Sequence, residues 1–204
     1  MGREGRAARR TLPQFYRVPA RDMLSSIATP NHRAPVTEAE IAIVRARHEQ
    51  LPAVQRLAER IWRAHYPGII TDGQIEFMLE RGYAIETLAF FLDAADRGLE
   101  LATVDGTIAG FAAWYVTDNR AEAKIDKLYV LQPLQRQGIG GRLIACVEGH
   151  ARAAGARTLA LNVNKNNTQA VDAYHKHGFA VREPVMVDIG HGYVMDDYVM
   201  AKPI

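Results

Sequence analysis

The chain has 204 residues, 48% of them hydrophobic, a formal net charge of +2 and a single cysteine. That length and apolar content suit one globular domain with a sizeable core, and the near-neutral balance argues neither for nor against a nucleic-acid partner. One cysteine excludes an internal disulfide, so a reducing cytoplasm is the default; no apolar run approaches the roughly 18 residues of a membrane span, and no Cys/His cluster has metal-ligand spacing.

Residues 1–22 carry Arg3, Arg6, Arg9, Arg10, Arg17 and Arg21 against only Glu4 and Asp22, with Pro13 and Pro19 interrupting any periodicity. A basic arm of this kind offers contacts to nucleic acid or an anionic surface, and an Arg-rich, acid-poor stretch has some transit-peptide character. The reading preferred here is a disordered extension over residues 1–38, or a start at Met23, with nucleic acid not expected as a partner. The domain proper is then 39–204.

Ile41 to Ala46 reads as the first strand. Leu51 to Tyr66 follows as an amphipathic helix with Val54, Leu57, Ile61 and Trp62 on one face, and Pro67-Gly68 breaks it. Thr71 opens a second helix carrying Ile75, Met78, Leu79 and Tyr83, and residues 86–97 are expected to continue as a further helical piece. Glu100 to Val104 and Thr107 to Val116 form a hairpin around Asp105-Gly106. Lys124 to Val130 is a strand. Ile139, Leu143, Ile144, Val147 and Ala151 then recur at helical spacing, with Cys146 among them as a small buried hydrophobe. Leu159 to Val163 is a buried strand, Asn167 to His177 a helix that Gly178 terminates, and two strands near 180–189 and 193–201 close the chain around Gly190-His191-Gly192.

Gln135-Arg136-Gln137-Gly138-Ile139-Gly140-Gly141 lies between a strand and a helix. Glycines there let the backbone approach a ligand closely, and the helix behind presents its positive end and free N–H groups, which suits a pyrophosphate. It is not a dinucleotide fingerprint, because Leu143 stands where the third small residue is required. Nor is it a P-loop, because Gly140-Gly141-Arg142 replaces Gly-Lys-Ser/Thr. What remains, Gln/Arg-x-x-Gly-x-Gly/Ala after a strand, resembles the acyl-CoA loop of the GNAT superfamily of N-acyltransferases. A second segment, Asn167-x-x-Ala170-x-x-x-Tyr174-x-x-x-Gly178-Phe179, is similar to the GNAT stretch in which the Asn meets the pantetheine arm and the Tyr reaches the thioester sulfur. The two occur in the order that superfamily requires.

The resemblance spans roughly residues 40–202. Ile61-Trp62, Tyr66-Pro67, Gln74 with Met78-Leu79, Ile125 to Val130 and Met195 to Met200 resemble the PaiA-like branch, which includes polyamine acetylators. It implies an α/β (mixed α+β) GNAT fold: a mixed, mostly antiparallel sheet of six or seven strands, helices on both faces, and a wedge between splayed fourth and fifth strands. The implied co-substrate is acetyl-CoA, with no metal, and the implied acceptor is a primary amine of a small molecule, polyamine or amino-acid-like. Protein or peptide N-acetylation and a non-catalytic CoA-binding domain are the alternatives. Members of the superfamily are often dimers, which makes a homodimer a partner to test for.

By motif position, Gln135, Arg136, Gly138, Gly140 and Gly141 surround the pyrophosphate and Asn167 reaches the pantetheine amides. Leu128 offers backbone groups to the same arm, and a strand bulge exposes the Val130 N–H to the thioester carbonyl. Tyr174 is the candidate general acid, a phenol with an ordinary pKa of about 10, close to that of a leaving thiol. Its other reading is a packed helix tyrosine. Asp126 is the candidate base: it precedes Val130 by four residues, which places both on one strand face under period-two alternation. It also reads as an electrostatic ligand of a cationic substrate, or as a partner of Lys124 or Lys127. Arg142, Lys165, His191, Glu80, Glu86, Tyr66 and Trp62 are secondary candidates for the nucleotide phosphate or the acceptor pocket.

Overall fold

The computed structural model describes residues 40–204, so the basic arm and the expected 1–38 extension lie outside the described residues. The first strand, β1 (Ile41–Arg45), leads through a 3-10 turn into α1 (Leu51–His65), which opens with Pro52 in its first turn, where a missing N–H costs nothing. Leu51, Val54, Leu57, Ala58, Ile61 and Trp62 form its buried stripe. The helix α2 (Asp72–Gly82) is capped by Thr71, whose hydroxyl accepts the Gln74 N–H at 3.2 Å.

The third helix is shorter than expected. It covers only Ile85–Ala89 (α3), and strand β2 (Arg97–Val104) begins where helix was anticipated. Arg97, Gly98 and Leu99 pair with Tyr115, Trp114 and Ala113, and Leu99 is fully buried, so sheet pairing and burial override local helical tendency. Gly98 fits that strand because side chains crowd its α-carbon. A Cβ there would stand 2.0 Å from an Arg45 guanidinium nitrogen and 2.2 Å from the Trp114 indole nitrogen.

The remaining elements are β3 (Thr107–Val116), β4 (Glu122–Val130), α4 (Ile139–Ala153), β5 (Thr158–Asn164), α5 (Thr168–Lys176), β6 (Ala180–Gly190) and β7 (Tyr193–Pro203). The seven strands run in the order β1-β2-β3-β4-β5-β7-β6, and only β4 and β5 are parallel. One face of the sheet packs Ile139, Leu143, Ile144, Val147 and Ala151 of α4 on Trp114, Leu159, Leu161 and Met200. The other face packs α1, α2 and α3 on Leu99, Leu101 and Phe111. Leu143 has no exposed surface. Leu143→Ala is expected to lower unfolding free energy by about 3 kcal/mol, read from the midpoint of a urea titration.

One property of the sheet positions the site. β4 and β5 pair only from Glu122–Ile125 to Thr158–Leu161, and both strands continue beyond. From Asp126 onward they have separated, and the gap between them is a wedge open to ligand.

Candidate active site

The wedge is floored by the turn that leads into α4. A 3-10 turn over Gln132–Leu134 carries the chain out of β4, Arg136 adopts φ 62°, and Gly138 adopts φ 81° as the residue preceding α4. No side chain caps α4 and no acidic residue stands in its first turn, so its leading N–H groups are left to a ligand at the positive end of a 15-residue helix. A Cβ at Gly138 or Gly140 would meet open space, whereas one at Gly141 would stand 2.8 Å from the His177 ring. The first two glycines thus face the cleft, and the third lets α4 and α5 approach. A cradle of backbone donors, open in front and free of anionic side chains, fits the pyrophosphate of a CoA thioester.

Above the cradle, the β4 backbone is aimed into the gap. Leu131 N–H donates to Ala109 O at 2.9 Å, which makes Gly110–Val130 a non-hydrogen-bonded pair of the antiparallel ladder. The Val130 N–H and C=O therefore point away from β3 into the wedge, and Leu128, two residues earlier, shares that direction. The Gln135 side-chain amide donates to the Val130 carbonyl at 3.1 Å and ties the loop to the strand.

A cleft of about 680 Å³ runs from the cradle past Val130 to the α1/α2 side of the sheet. It brings together Leu128, Val130, Gln135, Arg136, Gly138, Gly140, Gly141, Asn167, Tyr174 and Asp126. Asn167 is buried and its Oδ1 accepts the Ala170 N–H at 3.3 Å as the cap of α5, which leaves its amide nitrogen as the available donor. Tyr174 stands on α5 against Phe179, 5.8 Å between ring centroids, and burial pushes its phenol up to about 12.

Asp126 departs from the expectation in one respect. The β3 partners step from Ala113–Lys127 to Trp114–Ile125, so Asp126 is the extra residue of a β-bulge. The bulge breaks the period-two alternation that placed Asp126 on the face of Val130. Val130 packs on the α4 side, whereas Asp126 lies exposed beside Lys127, whose amine reaches its carboxylate at 2.5 Å and rests 5.1 Å from the Tyr83 ring on the α1 side. The bulge of β4 is thus centred at Asp126 rather than at Val130.

Of the secondary candidates, Trp62 and Tyr66 line the cleft, while Glu80, Glu86, His191, Arg142 and Lys165 are not among its lining residues. Arg142 donates to the Ile41 carbonyl at 3.1 Å, Lys165 pairs with Asp196, and His191 packs on Phe77 at 5.0 Å between centroids.

The acceptor end of the cleft is aromatic. The Trp62 indole N–H donates to the Tyr83 hydroxyl at 2.9 Å, and the Tyr66 and Tyr129 hydroxyls lie 3.3 Å apart. Burial pushes the phenols of Tyr66, Tyr83 and Tyr129 well above their ordinary value. With Tyr174, four phenols therefore hold their protons in the folded state above pH 10, where the unfolded chain loses them. A raised folded-state pKa gives stability that is fully present below about pH 10 and lost as pH rises through the folded values, about 12 for Tyr174. Urea midpoints should fall across that window, and phenolate absorbance from these four should appear with unfolding rather than before it.

Asp197 closes this end. It is 4% exposed, lies on β7 opposite Asn164, and its Oδ1 has no hydrogen-bond partner. Desolvation pushes its carboxyl up, against the lowering effect of the Asn162 side chain and Lys124. The sequence groups Asp196 and Asp197 with His191 as a candidate for acid/base chemistry or a positively charged acceptor, and of these three only Asp197 lines the cleft. The available signal was a charge at the alternate positions of a strand whose other face buries Met200.

Comparison with known proteins agrees with this geometry. The model of the acetyltransferase (GNAT) family matches residues 54–179, more than half of the chain. A spermidine N(1)-acetyltransferase of Thermoplasma acidophilum is 26% identical over 139 residues, 66% of this chain and 85% of that protein. An IAA acetyltransferase of Azospirillum brasilense is 31% identical over 133 residues, 65% of this chain and 80% of that protein. Among solved structures, the PaiA N-acetyltransferase of T. acidophilum in complex with coenzyme A covers 81% of this chain and 99% of its own, with a TM-score of 0.69 at 24% identity, a likeness of fold. Among the described residues no helix is long and apolar enough to cross a membrane. With a splayed sheet, a pre-helix glycine cradle and a family match over both motif segments, the chain belongs to the acetyltransferase (GNAT) family and is an acetyl-CoA-dependent N-acetyltransferase.

Proposed function

We propose that the protein acetylates a primary amine of a small molecule, polyamine or amino-acid-like, by direct attack in a ternary complex. The observation that carries this reading is one continuous cleft joining the cradle at Gly138–Gly141 to an enclosed aromatic and acidic end, with Val130 between them. Both reactants then meet at the β4 backbone, and alignment alone removes several kcal/mol of barrier.

In this reading the N–H groups around Gly138, Gly140 and Gly141 hold the pyrophosphate, flanked by Gln135 and Arg136. The Asn167 amide and the Leu128 backbone hold the pantetheine arm. The Val130 N–H meets the thioester oxygen, where a fixed donor typically contributes about 3 kcal/mol to the transition state. Tyr174, protonated throughout the physiological range, protonates the leaving thiolate. Asp126 stands at the acceptor mouth, where the amine of Lys127 occupies its carboxylate. The relative named a spermidine acetyltransferase supports a small-amine acceptor, and the enclosed aromatic end disfavours an extended peptide.

Acetyl-CoA at about 100 times its dissociation constant is expected to add roughly 2.7 kcal/mol of stability. A screen of polyamines, amino acids and peptides with acetyl-CoA should then yield CoA release with small amines. Release with peptides alone would overturn the acceptor class, and binding without release from any amine would overturn catalysis.

A further inference from the structure

We propose that Asp197 is the anchor and proton acceptor for the acceptor amine, and that this amine carries one positive charge on an apolar or aromatic body. The inference rests on the N-acetyltransferase reading and narrows its acceptor class at the acceptor end of the same cleft, setting polyamines aside.

Burial is the first observation. A carboxylate at 4% exposure with an unpartnered oxygen costs folding free energy unless something charged or hydrogen-bonding reaches it, and here the cleft leads to it. An ammonium entering the cleft supplies that partner. The second observation is the set of charges facing it. Lys124 approaches from β4, Asn162 and Asn164 from β5, and the Tyr66 phenol from the end of α1. Asp196 on β7 and Lys165 after β5 pair with each other, and on the β6 side the neighbour is Val185. Gln74 of α2 spends its amide on the Val194 carbonyl and the Met195 sulfur. Lys124 is thus the one nearby cation in this set without a carboxylate partner of its own, and Asp197 keeps an oxygen free.

The third observation concerns how many ammonium groups the cleft accepts. Among the described residues, its lining carboxylates are Asp126, Asp172 and Asp197. Asp126 is taken by Lys127, and Asp172 is exposed on α5. Lys127, itself buried, balances Asp126, so the pair offers no net negative charge to a second ammonium. The walls between are Trp62, Tyr66, Tyr83 and Tyr129, which suit an apolar or aromatic body and cation–π contact.

The ammonium N–H bond breaks, an O–H bond forms on Asp197, and the freed nitrogen pair forms the C–N bond as the C–S bond breaks. The thiolate takes the Tyr174 proton, Tyr174 recovers a proton from the same nitrogen, and Asp197 releases its own to solvent. Burial favours this role, because a desolvated carboxylate is a stronger base than an exposed one.

The test compares the parent with Asp197→Asn, using 2-phenylethylamine and spermidine as acceptors. For the parent, kcat/KM should be higher with 2-phenylethylamine. For the variant it should fall about 100-fold to 10,000-fold, with acetyl-CoA affinity by calorimetry unchanged. The variant should also melt higher than the parent at neutral pH, with the gain disappearing below the ordinary carboxylate range. The sign follows from a raised folded-state pKa: the parent loses stability as pH rises through it, and Asn does not titrate. Undiminished turnover, a lowered melting temperature at neutral pH, or a preference for spermidine would each overturn the proposal. A parent that acetylates other amines of the screen but not 2-phenylethylamine would overturn it as well, whereas a parent that fails to bind acetyl-CoA, or binds it and acetylates no amine of the screen, fails as a transferase.

Discussion

Gly140→Glu is expected to weaken acetyl-CoA binding by about 100-fold or more, close to 3 kcal/mol, while leaving the fold at least as stable. Gly140 lies in the first turn of α4, and a Cβ there meets nothing within 4 Å. Replacing a helical glycine removes backbone entropy from the unfolded chain, and a carboxylate at a helix N-terminus interacts favourably with the dipole. Both effects raise stability. The same carboxylate projects into the cradle, where it repels a pyrophosphate and occupies its space. Calorimetry with acetyl-CoA measures the loss, and a urea titration of the apo variant confirms an intact fold. Near-parent affinity in a folded variant would remove the phosphate from this loop.

The second large effect falls on Tyr174→Phe. The ring packs on Phe179 and retains that contact without its hydroxyl, so folding should change little. Turnover should fall by about 100-fold to 10,000-fold, the range associated with a positioned acid, at unchanged acetyl-CoA affinity. With its phenol pushed up to about 12, Tyr174 stays protonated through neutral pH, so the parent's rate should show no downturn from this residue below about pH 11. A variant with full turnover would reduce Tyr174 to a packing residue.

The strands and longer helices were legible because their signals are local. Alternation along residues 107–116, a helical stripe through Leu143 and Val147, and Asp105-Gly106 at φ 48° and 78° each specify their own element. The cradle and the Asn167–Tyr174 helix were legible for the same reason, since each is a contiguous segment whose spacing fixes which residues face the cleft. Two features were legible only in part. The position of Asp126 depends on a bulge set by pairing with Ala113 and Trp114 of β3, and one extra residue reverses the face of everything on one side of it. Asp197 gains its character from Asn162, Lys124 and Tyr66, which arrive from three other elements. Burial of a charge is a property of the assembled site, invisible in any one segment. Residues 90–96 form turns in place of the expected helix, and from Arg97 the chain is held by β3 rather than by its own propensity.

The most direct measurement is an amide NMR titration with CoA and then with acetyl-CoA. The account predicts large shifts at Gly138, Ile139, Gly140 and Gly141 with both ligands, as their N–H groups engage the pyrophosphate. It predicts a further shift at Val130 that acetyl-CoA produces and CoA does not, because only the thioester carries a carbonyl for that donor. Saturating ligand that leaves these amides unmoved, or a Val130 response indifferent to the acetyl group, would contradict it.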